Sequence, residues 1–186
     1  MSPPKKKGQR WTETVLYSFD TTNSDIISPQ GPVGFDSSGN LYGTTPTGGD
    51  LNCESGYGCG VVFELAAPSE KDGPWSYATI YESKAAVTEL TPKVAWFSTQ
   101  GNLYSTTVVG GQGQAGTAFQ LSPSTPASAA WTETVLHWFP DNKKDGYDPV
   151  GGLTWGKWGD LYGVTWLGGG TGCQGYGCGT VFEVRP

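Results

Sequence analysis

Apolar and polar residues alternate along this chain in short runs, and the runs come in sets that recur. In Trp11-Thr12-Glu13-Thr14-Val15-Leu16-Tyr17-Ser18-Phe19, the side chains of Val15, Tyr17 and Phe19 fall on one face. That period of two marks a half-buried strand. A polar stretch, Asp20 to Gln30, leads to Val33 to Asp36 and Asn40 to Thr45, two runs flanking Ser37-Ser38-Gly39. A tight hairpin is predicted there, with Gly39 supplying the positive φ. The Gly-rich stretch Thr47 to Gly58 predicts a long loop, and Gly60 to Leu65 a fourth strand that Pro68 ends, because proline cannot continue a ladder. Both faces of the third and fourth runs carry apolar or small residues, so each sheet is expected to stack between neighbours.

The set occurs three times. Asn40-Leu41-Tyr42-Gly43-Thr44-Thr45 returns as Asn102-Leu103-Tyr104-Ser105-Thr106-Thr107 and as Asp160-Leu161-Tyr162-Gly163-Val164-Thr165. Trp11-Thr12-Glu13-Thr14-Val15-Leu16 returns unchanged at 131–136, and Trp75-Ser76-Tyr77-Ala78-Thr79-Ile80 fills the same slot between them. A repeated unit of this size with four short strands predicts an all-β fold, a β-propeller of four-stranded blades, three per chain. The predicted divisions are a flexible basic tail over 1–10 and one propeller domain over 11–186, with repeats at about 20–82, 83–139 and 140–186. The chain opens on an outer strand and ends on a third strand, Gly179 to Val184. An N-terminal strand that completes a last blade would close a ring. Three blades are too few for one, so a six-bladed homodimer is expected; the alternative is three blades of a longer protein.

The run Trp-Thr-Glu-Thr-Val-Leu, then Asp-x-x-Gly-Asn-Leu-Tyr-Gly-Thr-Thr, then Gly-Gly and Gly-Thr-Val-Phe-Glu-Leu resembles the GloVer tandem repeats of bacterial surface and secreted proteins. The resemblance covers about Trp11 to Val184, and the middle copy departs from it with Ser105 in place of glycine and no cysteines. It implies an extracellular propeller-like array and no particular chemistry.

Composition narrows the function. The 186 residues include 29 Gly, 13 Pro, 8 Trp, 9 Tyr and 7 Phe, with 15% charged, which suits β-structure rich in turns. A net charge of −6 argues against nucleic acid, whose phosphates need a basic surface. Lys5-Lys6-Lys7 reads as part of a solvated tail. No apolar run is long enough for a membrane span, and no leader is visible in this chain. The four cysteines point instead to a secreted or cell-surface address.

Cys53 with Cys59, and Cys173 with Cys178, sit in the long loops of copies one and three and are absent together from copy two. Two local disulfides are the natural reading, a seven-residue closed loop contributing about 2.4 kcal/mol by constraining the unfolded chain. A four-thiolate zinc site across a dimer seam and a redox dithiol are the alternatives. Asp25, Glu89, Asp145 and Asp148 precede the second strands of their copies. They read as turn-forming residues or as carboxylates able to act as acid and base on a glycan. Asp141 to Gly146 is not a calcium loop, because Lys143 stands where a ligand should. His137, the lone histidine, aligns with Tyr17 and Tyr81 and reads as a packed ring; a serine-hydrolase triad has no parts here.

Tyr57 and Tyr176 fall inside the cysteine loops, and Tyr147 beside Asp148. Trp155 aligns with Phe35 and Phe97 and is expected in the core. Trp158 and Trp166 stand where sister copies carry smaller residues, at a hairpin tip and a loop start. Exposed aromatics beside polar groups suit sugar stacking; packing between blades or subunits is the alternative. The expected function is an extracellular binding module for carbohydrate or another small polar ligand. A glycan-cleaving hydrolase or lyase, or a purely adhesive array, is the alternative. No cofactor or metal is expected.

Overall fold

The computed structural model describes residues 10–19, 28–52, 57–83, 96–97, 101–124, 130–142 and 144–186, with only the backbone at 96–97. The described residues form three four-stranded antiparallel sheets, one per repeat. Sheet one takes β1 (Gly34–Phe35), β2 (Leu41–Thr45), β3 (Val61–Ala66) and β4 (Ser76–Glu82) in chain order. Sheet two takes β5 (Trp96–Phe97), β6 (Leu103–Thr107), β7 (Thr117–Ser122) and β8 (Thr132–Trp138). Sheet three orders β10 (Thr154–Trp155), β11 (Leu161–Gly168) and β12 (Val181–Val184), with β9 (Gly146–Pro149) on the far half of β11.

The Asn-Leu-Tyr motif is framework. Asp36 Oδ1 accepts from the backbone N of Ser38 and Asn40 at 2.8 and 2.9 Å, and Asn40 Nδ2 donates to Asp36 Oδ2 at 3.0 Å. Those bonds fix the turn that Gly39 (φ 87) makes possible. Tyr42 Oη then donates to Glu64 Oε1 at 2.9 Å across β2 and β3. Burial, followed by the Glu64 carboxylate, pushes the Tyr42 phenol far above its usual pKa. Tyr162 repeats the bond, donating to Glu183 Oε2 at 3.1 Å. Glycine at position 43 has a second reason: a Cβ there would lie 2.5 Å from the Phe63 ring.

The sheets stack face to face. Tyr42 and Val62 of sheet one share a core with Leu103, Phe119 and Leu121 of sheet two. Tyr104 and Ala118 of sheet two share another with Leu153, Leu161 and Val184 of sheet three. Fully burying side chains of this size contributes about 2 kcal/mol each. Each outer strand also leans on the next sheet: Ile80 and Tyr81 of β4 on the first of these cores, Leu136 of β8 on the second. Tyr81 Oη donates to Glu133 Oε2 at 2.6 Å across that seam. Trp155 packs as expected, edge-on to Tyr104 at 5.1 Å.

Four expectations need correction. Trp11 to Phe19 is not a strand in the single chain, beyond one bridging residue at Thr12. A strand exists only through ladder partners, and among the described residues this segment joins none of the sheets. Tyr17 and Phe19 instead pack on Leu41, Phe63 and Leu65 of sheet one. The stretch holding Asp145 and Asp148, expected as a turn, contains strand β9. Because β9 supplies a partner, β11 runs on to Gly168, and Trp166 lies within it rather than at a loop start. His137 is exposed, although its ring meets Phe139 edge-on at 4.8 Å. Asp25, Glu89, Cys53 and all but the last residue of the basic tail lie outside the described residues.

Candidate functional site

The site gathers at the far end of sheet three. There β9 pairs with β11 through Leu167–Tyr147 and Thr165–Pro149, and Asp148 and Trp166 lie between those pairs. Asp148 takes φ 52, which a non-glycine residue rarely adopts. Its backbone N bonds Ala115 O, in the β6–β7 connection of sheet two, at 3.0 Å.

Beyond β11 the chain makes a four-residue helical turn, Gly172–Gly175, whose Cys173 and Gln174 have positive φ. Cys173 and Cys178 are joined in a disulfide, with Cα atoms 5.3 Å apart. At the mouth of the closed loop, Gly177 N bonds Gly172 O at 2.9 Å. Gly168 N and Tyr147 Oη both donate to Tyr176 O, at 2.9 and 3.2 Å. The Tyr176 backbone is therefore held from three directions while 53% of the residue stays exposed.

Carboxylates lie on the turn and strand that pair with this strand end. Asn142 Nδ2 donates to Asp145 Oδ2 at 2.7 Å, and Asn142 Oδ1 accepts from Lys144 N and Asp145 N, both at 2.9 Å. Gly169 N reaches Asp145 O at 3.3 Å, tying that turn to the strand end. Burial, with the Asp141 charge second, raises the Asp148 carboxyl above its usual range. The Tyr147 phenol is pushed up by burial, then by the charges of Asp141 and Asp148. Chemically, this is an exposed aromatic residue on a fixed backbone, at a strand end that also carries carboxylates able to accept hydrogen bonds from hydroxyls.

Sheet one carries the counterpart. Gly48 N bonds Tyr57 O at 2.8 Å, as Gly168 N bonds Tyr176 O, and Tyr57 is 56% exposed. Cys59 is buried and disulfide-bonded. Sheet two closes the equivalent connection with a short turn in which Gln114 N bonds Gly111 O at 3.2 Å.

Asp145, Asp148, Tyr147 and Tyr176 are thus brought together, and Tyr57 stands on the matching loop of another sheet. Trp158 is elsewhere, at the β10–β11 hairpin tip, with Lys157 Nζ 5.3 Å from its ring centre. The length of β11 separates the two ends by about 23 Å. Trp166 lies on the free outer face of sheet three with Val164 and Val181, at 66%, 45% and 79% exposure. Sequence reasoning missed Asp141, whose charge reaches both Asp148 and Tyr147; its Asp-Asn-x-x-Asp-Gly context had been weighed only for calcium. Among the described residues no cluster of three or more His, Cys, Asp or Glu forms a metal site.

Fold and site together define an all-β protein of stacked four-stranded antiparallel sheets with a disulfide-pinned loop. No helix among the described residues is long and apolar enough to cross a membrane. No protein-family model matches the chain, and no curated protein matches it. A solved structure titled "Streptogramin B lyase structure" is similar at 17% identity with a TM-score of 0.40, over 85% of this chain and 40% of that one.

Proposed function

We propose that this chain is an extracellular carbohydrate-binding module of propeller type, of the GloVer repeat kind, acting as a six-bladed ring of two chains. The observation that carries the binding reading is Tyr176. Tyr176 is exposed on a backbone held by a disulfide and two hydrogen bonds, at the end of sheet three where β9 carries Asp148 and the turn before it Asp145. A ring held in advance loses little entropy on stacking against a sugar, and neighbouring carboxylates accept the sugar's hydroxyls. The matching Tyr57 offers a second stacking position per chain. The disulfide suits an oxidising compartment.

A glycan array, followed by calorimetry with its best oligosaccharide, tests the reading. Tyr176→Ala abolishes binding with the far-UV spectrum unchanged; an array without binders removes it. One observation favours a second reading, cleavage of the glycan: Asp148 is backbone-strained, partly desolvated and near a second carboxylate. Reducing-sugar release from a polysaccharide panel, lost in Asp148→Asn, supports cleavage. Absence of both binding and release leaves an adhesive array.

A further inference from the structure

The two ends of the stack are complementary. On sheet three, Val164 pairs with Val181 in register, at 45% and 79% exposure. The equivalent pairs, Thr44 with Val62 and Thr106 with Ala118, are at most 1% exposed, because another sheet covers them. Among the described residues β12 is moreover a sheet edge, paired only with β11, whereas β3 and β7 each carry an outer strand. An open groove runs beside that edge, lined by His137, Phe139, Asp145, Val181, Phe182 and Glu183.

At the other end a segment with strand-like alternation lacks a sheet. Phe19 meets Phe63 of sheet one at 5.2 Å and 66°, and Phe139, just past β8, meets Phe182 of sheet three at 4.9 Å and 70°. Tyr17 meets Phe19 at 5.0 Å and 78°, and His137 meets Phe139 at 4.8 Å and 86°. The segment 11–19 therefore sits on sheet one as the outer strand of a preceding sheet would. Trp11, Val15 and Leu16 are exposed, whereas their counterparts Trp131, Val135 and Leu136 are half-buried where β8 pairs with β7. The two hexapeptides are identical.

We propose that a second copy of this chain fills both gaps: its Trp11–Phe19 segment adds to β12 as the missing outer strand, and its sheet one covers Val164, Trp166 and Val181. This inference rests on the two-chain ring above. The ladders of β3 with β4 and of β7 with β8 share one bulge and give the register. Transferred, they pair Val181 with Tyr17, Phe182 with Val15, Glu183 with Thr14 and Val184 with Glu13. Main-chain bonds to an open edge supply affinity, and alternate side chains supply specificity. A two-fold axis makes both seams at once and leaves no edge for a third copy. Phe35, 60% exposed, would meet the partner's Tyr162 as Trp155 meets Tyr104. Tyr17 and Phe19 keep their seats on their own sheet one, so no rearrangement is needed.

The test mixes two full-length variants, Thr14→Cys and Glu183→Cys, both at exposed positions, under mild oxidation. Sedimentation gives the assembly, and a non-reducing gel gives the cross-link. The expected result is a dimer in solution and a disulfide-linked pair only when the two variants are mixed. A monomer at micromolar concentration overturns the ring and this inference together, and is the outcome if blades of another protein occupy the gaps. A dimer without the cross-link overturns the strand pairing alone.

Discussion

Phe19 lies edge-on against Phe63, 44 residues on and in a sheet to which its own segment does not belong. The contact reproduces the one between Phe139 and Phe182, so the N-terminal segment is placed by the same packing that joins one sheet to the next. Phe19→Ala is accordingly expected to lower unfolding stability by about 2 kcal/mol, less than a fully buried Phe→Ala because the ring is only half-buried. Urea unfolding measures it. An unchanged midpoint would mean the segment is not seated on sheet one.

The middle repeat carries a built-in flaw. Ser105 occupies the slot of Gly43 and Gly163, is 2% exposed, and its Oγ has no hydrogen-bond partner. Ser105→Ala keeps the Cβ already accommodated and removes the unpaired hydroxyl, and should stabilise by about 1 kcal/mol. Gly43→Ala should cost about 2 kcal/mol through its clash with Phe63. Thermal melts of both variants, moving in opposite directions, check this.

How much was legible in the sequence follows from how local each feature is. Hairpins such as Ser37-Ser38-Gly39 depend on a few adjacent residues, and the threefold repetition exposed them. Strand β9 was hidden because Asp145-Gly146-Tyr147-Asp148-Pro149 has turn composition, and only its pairing with β11 makes it a strand. The Trp11 run has the right alternation, yet a ladder needs a partner that this run lacks in one chain. Trp166 stood out as unexplained by the repeat; that it lies on an open sheet face was a matter of tertiary stacking.

Glu133 couples the first two sheets to pH. Burial raises its carboxyl, while the bond from Tyr81 lowers it by less. A raised folded pKa means its stabilising contribution is complete below the unfolded value, near pH 4.5, and is lost as pH rises through the folded value. Glu133→Gln, which keeps an oxygen acceptor for Tyr81, should flatten the fall in stability above pH 4.5. Urea midpoints at stepped pH values check it; an identical slope in the variant contradicts it.

The Cys173–Cys178 bridge holds the Tyr176 loop. Replacing both cysteines with serine should lower stability by about 2 kcal/mol through the freed unfolded chain. It should also weaken oligosaccharide binding more than it changes the rest of the fold, since the loop from position 173 to 178 would no longer be closed. Calorimetry before and after the substitution separates the two effects.

The mass of the intact wild-type chain in solution is the most direct test of the account. Sedimentation equilibrium at micromolar concentration should return twice the mass of one chain, as two three-sheet stacks closing on each other require. A single-chain mass across that range would contradict it.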